Sequence, residues 1–142
     1  MLRLKHLVKY LLGTLEYCWC FYYQENPGTV VVGISDSDWA EDPRTRKSVS
    51  SGYITWGRHV LEHFCSGQQV VALSSGEAEF YACGKCAAHV LFLAFLFREI
   101  GYKQMRGQIT TDSSAARGML QRAGPGRVRH LHTRWLLSLI HI

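Results

Sequence analysis

Residues 74–101, SSGEAEFYACGKCAAHVLFLAFLFREIG, decide the fold because they predict one long and mostly buried helix. The stretch lacks proline, and apolar residues occupy most of its positions. Ser74 or Ser75 is a suitable N-cap, since a serine hydroxyl accepts a hydrogen bond from the first helical turn. Gly101 follows Ile100, and a glycine in that place is typical of a helix C-terminus. A helix this apolar requires a sheet or other elements to cover it.

Short strands precede this helix, and helices alternate with a strand after it. Aromatic and β-branched runs between turn signals predict strands at Cys18–Tyr23, Thr29–Ile34, Gly52–Trp56, Val60–Phe64, Gln69–Leu73 and Gly107–Thr111. Helical spacing and capping residues predict further helices at Leu2–Leu12, Asp112–Gln121 and His130–Leu139. This order of elements predicts an α/β domain with a mixed sheet.

Composition narrows the class of protein. A chain of 142 residues with 47% hydrophobic residues fits one globular domain and excludes a multidomain enzyme or a disordered chain. The net charge of +5 suits a polyanionic partner without establishing one. Five cysteines are odd in number and sparse, which predicts a reducing, intracellular location. The longest uncharged apolar run, Val90–Phe97, is too short to span a bilayer, so we expect no membrane partner.

Three acidic residues stand where a predicted strand ends or a helix begins. Asp36 follows TVVVGI, Glu79 lies in the first turns of the long helix, and Asp112 follows ITT. Because sites collect at the carboxyl ends of strands in open α/β sheets, and Mg²⁺ prefers carboxylate oxygens, these acids suggest a divalent-metal site. The ordinary alternatives are a turn residue for Asp36 and an N-cap for Asp112.

Two of these acids, Asp36 and Glu79, each have a second acid two residues away that could take their place in the site. Asp38, two residues after Asp36, would share its side of an extended chain, so either could face the site. Residues two apart on a helix differ by about 200°, so Glu77 and Glu79 cannot both point inward. Glu79 shares its stripe with Cys83 and is predicted to be the inward one.

The remaining candidates have structural alternatives. Arg44, Arg46, Lys47 and Ser48 lie in the loop after Asp36, where they could contact nucleic acid or simply form a solvated, capped turn. The CxxC of the long helix has no second ligand pair and is predicted to pack in the core rather than to bind zinc. The apolar run Val90–Phe97 predicts a cover, either the first helix or a neighbouring domain.

Four further stretches carry a family resemblance: DSDWAEDPRTRKSVSSGY (36–53), QQVVALSSGEAEFYA (68–82), ITTDSSAA (109–116) and VRHLHTRW (128–135). In order and spacing they resemble the ribonuclease H domain of copia-type retrotransposon polyproteins. HLVKYLLGTLEY (6–17) resembles the segment that joins reverse transcriptase to ribonuclease H in that family. The resemblance implies three parts: residues 1–16 as the end of the reverse transcriptase connection, 17–135 as the ribonuclease H-like domain, and 136–142, unlike the family, as a non-native tail.

The resemblance also implies a fold and an activity. The fold would be a five-stranded mixed sheet flanked by helices. The activity would be two-metal hydrolysis of the RNA strand of RNA–DNA hybrids with Mg²⁺ or Mn²⁺, next to an upstream reverse transcriptase domain. By motif, Asp36, Glu79 and Asp112 match three acids of the family's metal-binding set. His132 stands at the fourth position, where the family has aspartate, so a catalytically degenerate domain with a structural or nucleic-acid-binding role is the alternative.

Overall fold

The computed structural model describes residues 2–121. Their elements follow one another along the chain in this order: α1 Leu2–Gly13, β1 Val30–Asp38, β2 Val49–Trp56, β3 His59–Gly67, α2 Ser75–Glu99, β4 Arg106–Thr110 and α3 Ser114–Leu120. The α/β class and the mixed sheet predicted from the sequence are confirmed.

The sheet has the strand order β3-β2-β1-β4. The first three strands form an antiparallel meander, and β4 returns parallel to β1 after the crossover through α2. Asp36 is paired with Ser51 on β2, and Ile34 is paired with Thr110 on β4. The last residues of β1 and the residues just after β4 therefore meet at one edge of the sheet.

Helix α2 is held close to the sheet by glycines in two neighbouring strands. A Cβ added at Gly33 in β1 would lie 2.5 Å from both Cys86 Sγ and Val90 Cγ2, and one at Gly107 in β4 would lie 2.7 Å from Val90 Cγ1. The helix thus packs directly on the backbone of β1 and β4. The core around this contact is formed by fully or almost fully buried side chains, namely Val31, Ile54, Cys86, Val90, Ala94 and Met105.

A second apolar cluster lies at the N-terminal end of α2. Ala78, Phe80 and Tyr81 pack there against Ala72, with the partly buried Met119 and Leu120 of α3 on the outside. Gly76 allows α3 to approach, since a Cβ at that position would lie 2.8 Å from Ala115 Cβ. This packing fixes the position of α3 beside the beginning of α2.

Two of the predicted strands do not form. Cys18–Tyr23 and Gln69–Leu73 form no strand, and both remain irregular segments. The described residues therefore hold four strands rather than the five that the family resemblance implied. The predicted last helix, His130–Leu139, and the predicted tail, 136–142, lie outside the described residues.

Two apolar surfaces of the described chain are left uncovered. The side chains of residues 4–12 in α1 are exposed, so α1 does not cover the apolar run of α2 as one alternative expected. Phe92 is 63% exposed and Phe95 61% exposed, whereas Phe97 packs on Trp56 at a ring distance of 4.5 Å. By length and composition α2 could cross a membrane, but half of its apolar window is buried in the domain, which makes this weak evidence for a membrane span.

Candidate metal centre

Three carboxylates from three different elements converge at one edge of the sheet. One ligand oxygen from each of Asp36, Glu79 and Asp112 lies within 4.8 Å of the others. Asp36 lies near the end of strand β1, Glu79 lies in α2, and Asp112 follows β4. Residues distant in sequence are thus brought to one point by the crossover that places β4 beside β1. Among residues 2–121 this is the only cluster of three or more such side chains suited to a metal ion.

Ser37 connects the first two acids. Its backbone N–H donates to Asp36 Oδ1 at 2.8 Å and to Glu79 Oε1 at 3.1 Å, and its hydroxyl donates to Glu79 Oε1 at 2.9 Å. Only one oxygen of Glu79 is used in this way. Its other oxygen, Oε2, is buried and has no hydrogen-bond partner among the described residues.

The electrostatics of the centre favour a cation. Burial raises the pKa of Glu79 above its ordinary value, and the nearby charges of Asp36 and Asp112 raise it further, although the hydrogen bonds from Ser37 oppose this rise. A buried carboxylate oxygen without a donor is costly unless a proton or a cation compensates it. Three carboxylates are hard oxygen donors of the kind that Mg²⁺ and Mn²⁺ accept. The residues present therefore fit a divalent cation, which Asp36, Glu79 and Asp112 would hold.

Asp112 is available because another residue caps the following helix. The N-cap of α3 is Ser113, whose hydroxyl accepts a hydrogen bond from the backbone N–H of Ala116 at 3.1 Å. The alternative prediction, that Asp112 caps this helix, is wrong. Its carboxylate is exposed and points to the cluster instead. The prediction that Ser74 or Ser75 caps α2 is confirmed by Ser74 Oγ, which accepts from Glu77 N at 3.2 Å.

Glu77 differs from what the helix phase predicted. It does not join the metal centre, but it is only 3% exposed rather than facing outward. Its Oε2 accepts from Leu73 N at 2.9 Å, and its Oε1 accepts from the hydroxyl of Tyr81 at 3.1 Å. Burial, together with this contact to Glu77, raises the pKa of Tyr81 to about 12. Glu77 is therefore buried and Glu79 half-buried, on opposite sides of the first turns of α2. Asp38 is exposed and stays outside the cluster.

The loop from Trp39 to Ser48 lies at the same end of the sheet as the acids. Asp42 orders it by accepting hydrogen bonds from Arg44 N at 2.9 Å and from the hydroxyl of Thr45 at 2.8 Å. Arg44 and Arg46 are exposed and Lys47 is half-buried. Arg44 and Arg46 thus present their positive charge to solvent at that end of the sheet.

Two other residues of this loop have structural roles. Ser48 is fully buried and its hydroxyl accepts a hydrogen bond from Ala40 N at 3.1 Å, so the prediction that it contacts nucleic acid is wrong and the turn-capping alternative holds. Trp39 donates its indole N–H to the carbonyl of Ala72 at 3.0 Å and remains 46% exposed. Sequence reasoning did not single out Ser37, because a serine between two aspartates has no distinctive pattern.

The CxxC of α2 behaves as a core element. Cys83 and Cys86 are fully buried, and Cys83 Sγ lies 3.4 Å from Ser35 Oγ. Burial raises the pKa of the Cys86 thiol to about 12, which makes it a poor metal ligand. His132, the residue at the fourth acidic position, lies outside the described residues.

Comparison with known proteins agrees with this geometry. A solved structure of LC11-RNase H1, isolated from compost, matches 80% of this chain and 75% of its own, with a TM-score of 0.53 and 14% sequence identity. The chain has a ribonuclease H-like fold. The predicted fold family is confirmed, with four strands in the described part instead of five.

In sequence this ribonuclease H-like domain is similar to a retrotransposon protein. It is 29% identical over 140 residues to the Retrovirus-related Pol polyprotein from transposon TNT 1-94 of Nicotiana tabacum, a match that covers 96% of this chain. It is also 33% identical over 91 residues to Secreted RxLR effector protein 161 of Plasmopara viticola, across 63% of this chain. The chain spans 10% of the tobacco polyprotein and 62% of the effector protein. No protein-family model matches the chain.

Proposed function

We propose that this domain is a ribonuclease H of a copia-type retrotransposon polyprotein and hydrolyses the RNA strand of RNA–DNA hybrids. The observation that carries the proposal is the convergence of Asp36, Glu79 and Asp112 within 4.8 Å on a ribonuclease H-like fold. The similarity to a retrotransposon Pol polyprotein supports the same context. The proposal includes an intracellular location, as expected for an element that copies RNA into DNA inside its host.

The acids would act as the holders of divalent cations, with Mg²⁺ or Mn²⁺ as the expected ions. When bound, such ions supply the charge that activates a water molecule and stabilises the leaving oxygen of a phosphodiester. The protein's own contribution is positional. Ser37 keeps Glu79 Oε1 engaged, so Glu79 Oε2 is the oxygen of this carboxylate without a hydrogen-bond partner among the described residues and would be available to a cation. The backbone pairing of β1 with β4 fixes the separation of Asp36 and Asp112.

Substrate would approach across the loop after β1. Arg44, Arg46 and Lys47 present positive charge at that end of the sheet and would contact the phosphates of the hybrid. The exposed apolar surfaces of α1 and of Phe92 and Phe95 on α2 support a protein neighbour, which we propose to be the upstream reverse transcriptase domain of the same polyprotein.

One specific residue favours a second candidate function. His132 stands where the family motif has its fourth acid, and a neutral imidazole is a poor ligand for Mg²⁺. A degenerate domain that binds hybrid without hydrolysing it is therefore the alternative.

A cleavage assay separates the two. The 142-residue chain is incubated with an RNA–DNA hybrid labelled on the RNA strand, in Mg²⁺ and separately in Mn²⁺, with RNA–RNA and DNA duplexes as controls. Cleavage of the hybrid alone, abolished by Asp36→Asn, supports the nuclease. Hybrid binding without cleavage in either metal supports the degenerate domain.

A further inference from the structure

A second, chemically different cluster lies away from the carboxylates, in the irregular segment between α1 and β1. Cys18 and Cys20 are both exposed free thiols, and their sulfur atoms lie 3.6 Å apart. The proposed hydrolysis does not involve them. Cys65, the third exposed thiol, belongs to β3 and has no such partner among the described residues.

The segment that carries the two thiols is fixed to the rest of the domain. The ring of Phe21 packs edge-on against His59 at 5.2 Å, and Gln24 Oε1 accepts a hydrogen bond from Arg58 N at 2.7 Å. These contacts attach the segment to the turn between β2 and β3. Cys20 also lines a cavity of about 430 Å³ together with Glu25 and His59.

The distance between the sulfur atoms allows both of them to bind one ion. Two thiolates bound to one tetrahedral ion, with metal–sulfur distances of about 2.3 Å, lie roughly 3.8 Å apart. The observed 3.6 Å, which is also an ordinary contact distance for two reduced thiols, is close to that value. Both sulfurs are therefore near enough to bind a single ion with little movement of the chain.

We propose that Cys18 and Cys20 form a bidentate thiolate site for a thiophilic divalent ion of the Zn²⁺ and Cd²⁺ class. Among residues 2–121 no third ligand atom already completes the site. The remaining coordination positions would be taken by water or by an exogenous ligand, in the open space that Cys20 lines. Soft sulfur ligands select such ions over Mg²⁺, so this site and the carboxylate centre would bind different metals.

The test uses the reduced 142-residue chain titrated with Cd²⁺ under anaerobic conditions, read by the ultraviolet sulfur-to-cadmium charge-transfer absorption. We expect the charge-transfer absorption to saturate at one equivalent of Cd²⁺ bound by sulfur. Cys18→Ser and Cys20→Ser should each weaken binding about tenfold or more, corresponding to roughly 1.4 kcal/mol. Cys65→Ser is the matched control and should bind like the unmodified chain. Glu79→Gln should also leave this signal unchanged, which separates the site from the proposed nuclease centre.

A second readout needs no substitution at the site. Bound Cd²⁺ should slow the alkylation of Cys18 and Cys20 by iodoacetamide, measured by mass spectrometry, while Cys65 reacts at its usual rate. Absence of the absorption band, its loss in Cys65→Ser, or equal alkylation of all three exposed cysteines would overturn the proposal. Spontaneous conversion of Cys18 and Cys20 to a disulfide, without metal binding by the reduced chain, would also overturn it.

Discussion

Substitution of the two glutamates at the beginning of α2 separates a structural carboxylate from a metal-binding one. Glu77 is 3% exposed and accepts hydrogen bonds from Leu73 N and the Tyr81 hydroxyl. In Glu77→Gln one of the two acceptor oxygens becomes an NH₂ group that faces a donor. With this NH₂ turned to Tyr81, whose hydroxyl accepts as well as donates, both contacts persist, but two hydrogen bonds to a charged carboxylate become weaker bonds to a neutral amide.

The expected cost follows from these contacts. A hydrogen bond to a charged group contributes about 1.5–3 kcal/mol and one between neutral groups about 0.5–1.5 kcal/mol, so the weakening of two bonds in Glu77→Gln should destabilise the fold by about 2 kcal/mol. For a domain of this size that corresponds to a decrease in Tm of roughly 10 °C. The measurement is thermal unfolding followed by circular dichroism in metal-free buffer.

Glu79→Gln is the matched variant and should behave in the opposite way. Burial and the charges of Asp36 and Asp112 raise the pKa of Glu79, so its ionised form opposes folding at pH values above its ordinary pKa. Removal of that charge should therefore raise the Tm at pH 7 in metal-free buffer. The gain should disappear as the pH falls below the ordinary pKa, where the carboxyl is protonated in both states.

The two glutamate variants should also differ in how their Tm responds to a divalent metal. At a hundredfold excess over its Kd, a ligand that binds only the folded state stabilises it by about 2.7 kcal/mol. Mn²⁺ should thus raise the Tm of the unmodified chain and of Glu77→Gln, but not that of Glu79→Gln. The reasoning is refuted if Glu77→Gln unfolds at the unmodified Tm, or if Glu79→Gln keeps the response to Mn²⁺.

Three other predictions concern packing, substrate binding and the fourth ligand position. Gly33→Ala should destabilise the fold by about 1–3 kcal/mol in chemical denaturation, because its Cβ would lie 2.5 Å from Val90 Cγ2; an unchanged midpoint would contradict direct packing of α2 on the backbone. Hybrid binding should weaken steeply with salt, and Arg46→Ala should reduce the slope of log K against log salt by about one unit if that side chain contacts phosphate; an unchanged slope would exclude it. His132→Asp should raise Mg²⁺-dependent hybrid cleavage, each tenfold gain corresponding to about 1.4 kcal/mol of barrier, whereas equal rates would show that a fourth acid is dispensable.

Sequence patterns within each segment were sufficient to predict α2 and the strands that pair in the sheet. The Ser74 cap and the apolar sequence up to Gly101 define the long helix without reference to the rest of the chain. Cys18–Tyr23 has the composition of a strand but finds no partner, and β-propensity reports fit to a half-buried sheet surface rather than a backbone preference. Its aromatic side chains therefore remain exposed.

The acids of the metal centre could be predicted from the sequence, but the residues that surround them could not. The helical phase correctly separates Glu77 from Glu79, yet it cannot show that the beginning of α2 is covered on both sides. Contacts between distant elements, such as the approach of α3 to this part of α2 that Gly76 permits through Ala115, are not encoded in local patterns. Whether Asp112 or Ser113 caps α3 likewise depends on the exact residue at which the helix begins, which sequence patterns do not resolve.

The most direct test of the central claim is the rate at which the chain cleaves an RNA–DNA hybrid in Mn²⁺, compared with Asp112→Asn prepared in the same way. Asp112 is exposed and does not cap α3, so this substitution should leave the fold intact and remove only a metal ligand. The account predicts cleavage by the unmodified chain and its loss in the variant, with both proteins equally folded by circular dichroism. Equal cleavage by the two proteins would contradict the assignment of Asp36, Glu79 and Asp112 as the metal centre of a ribonuclease H.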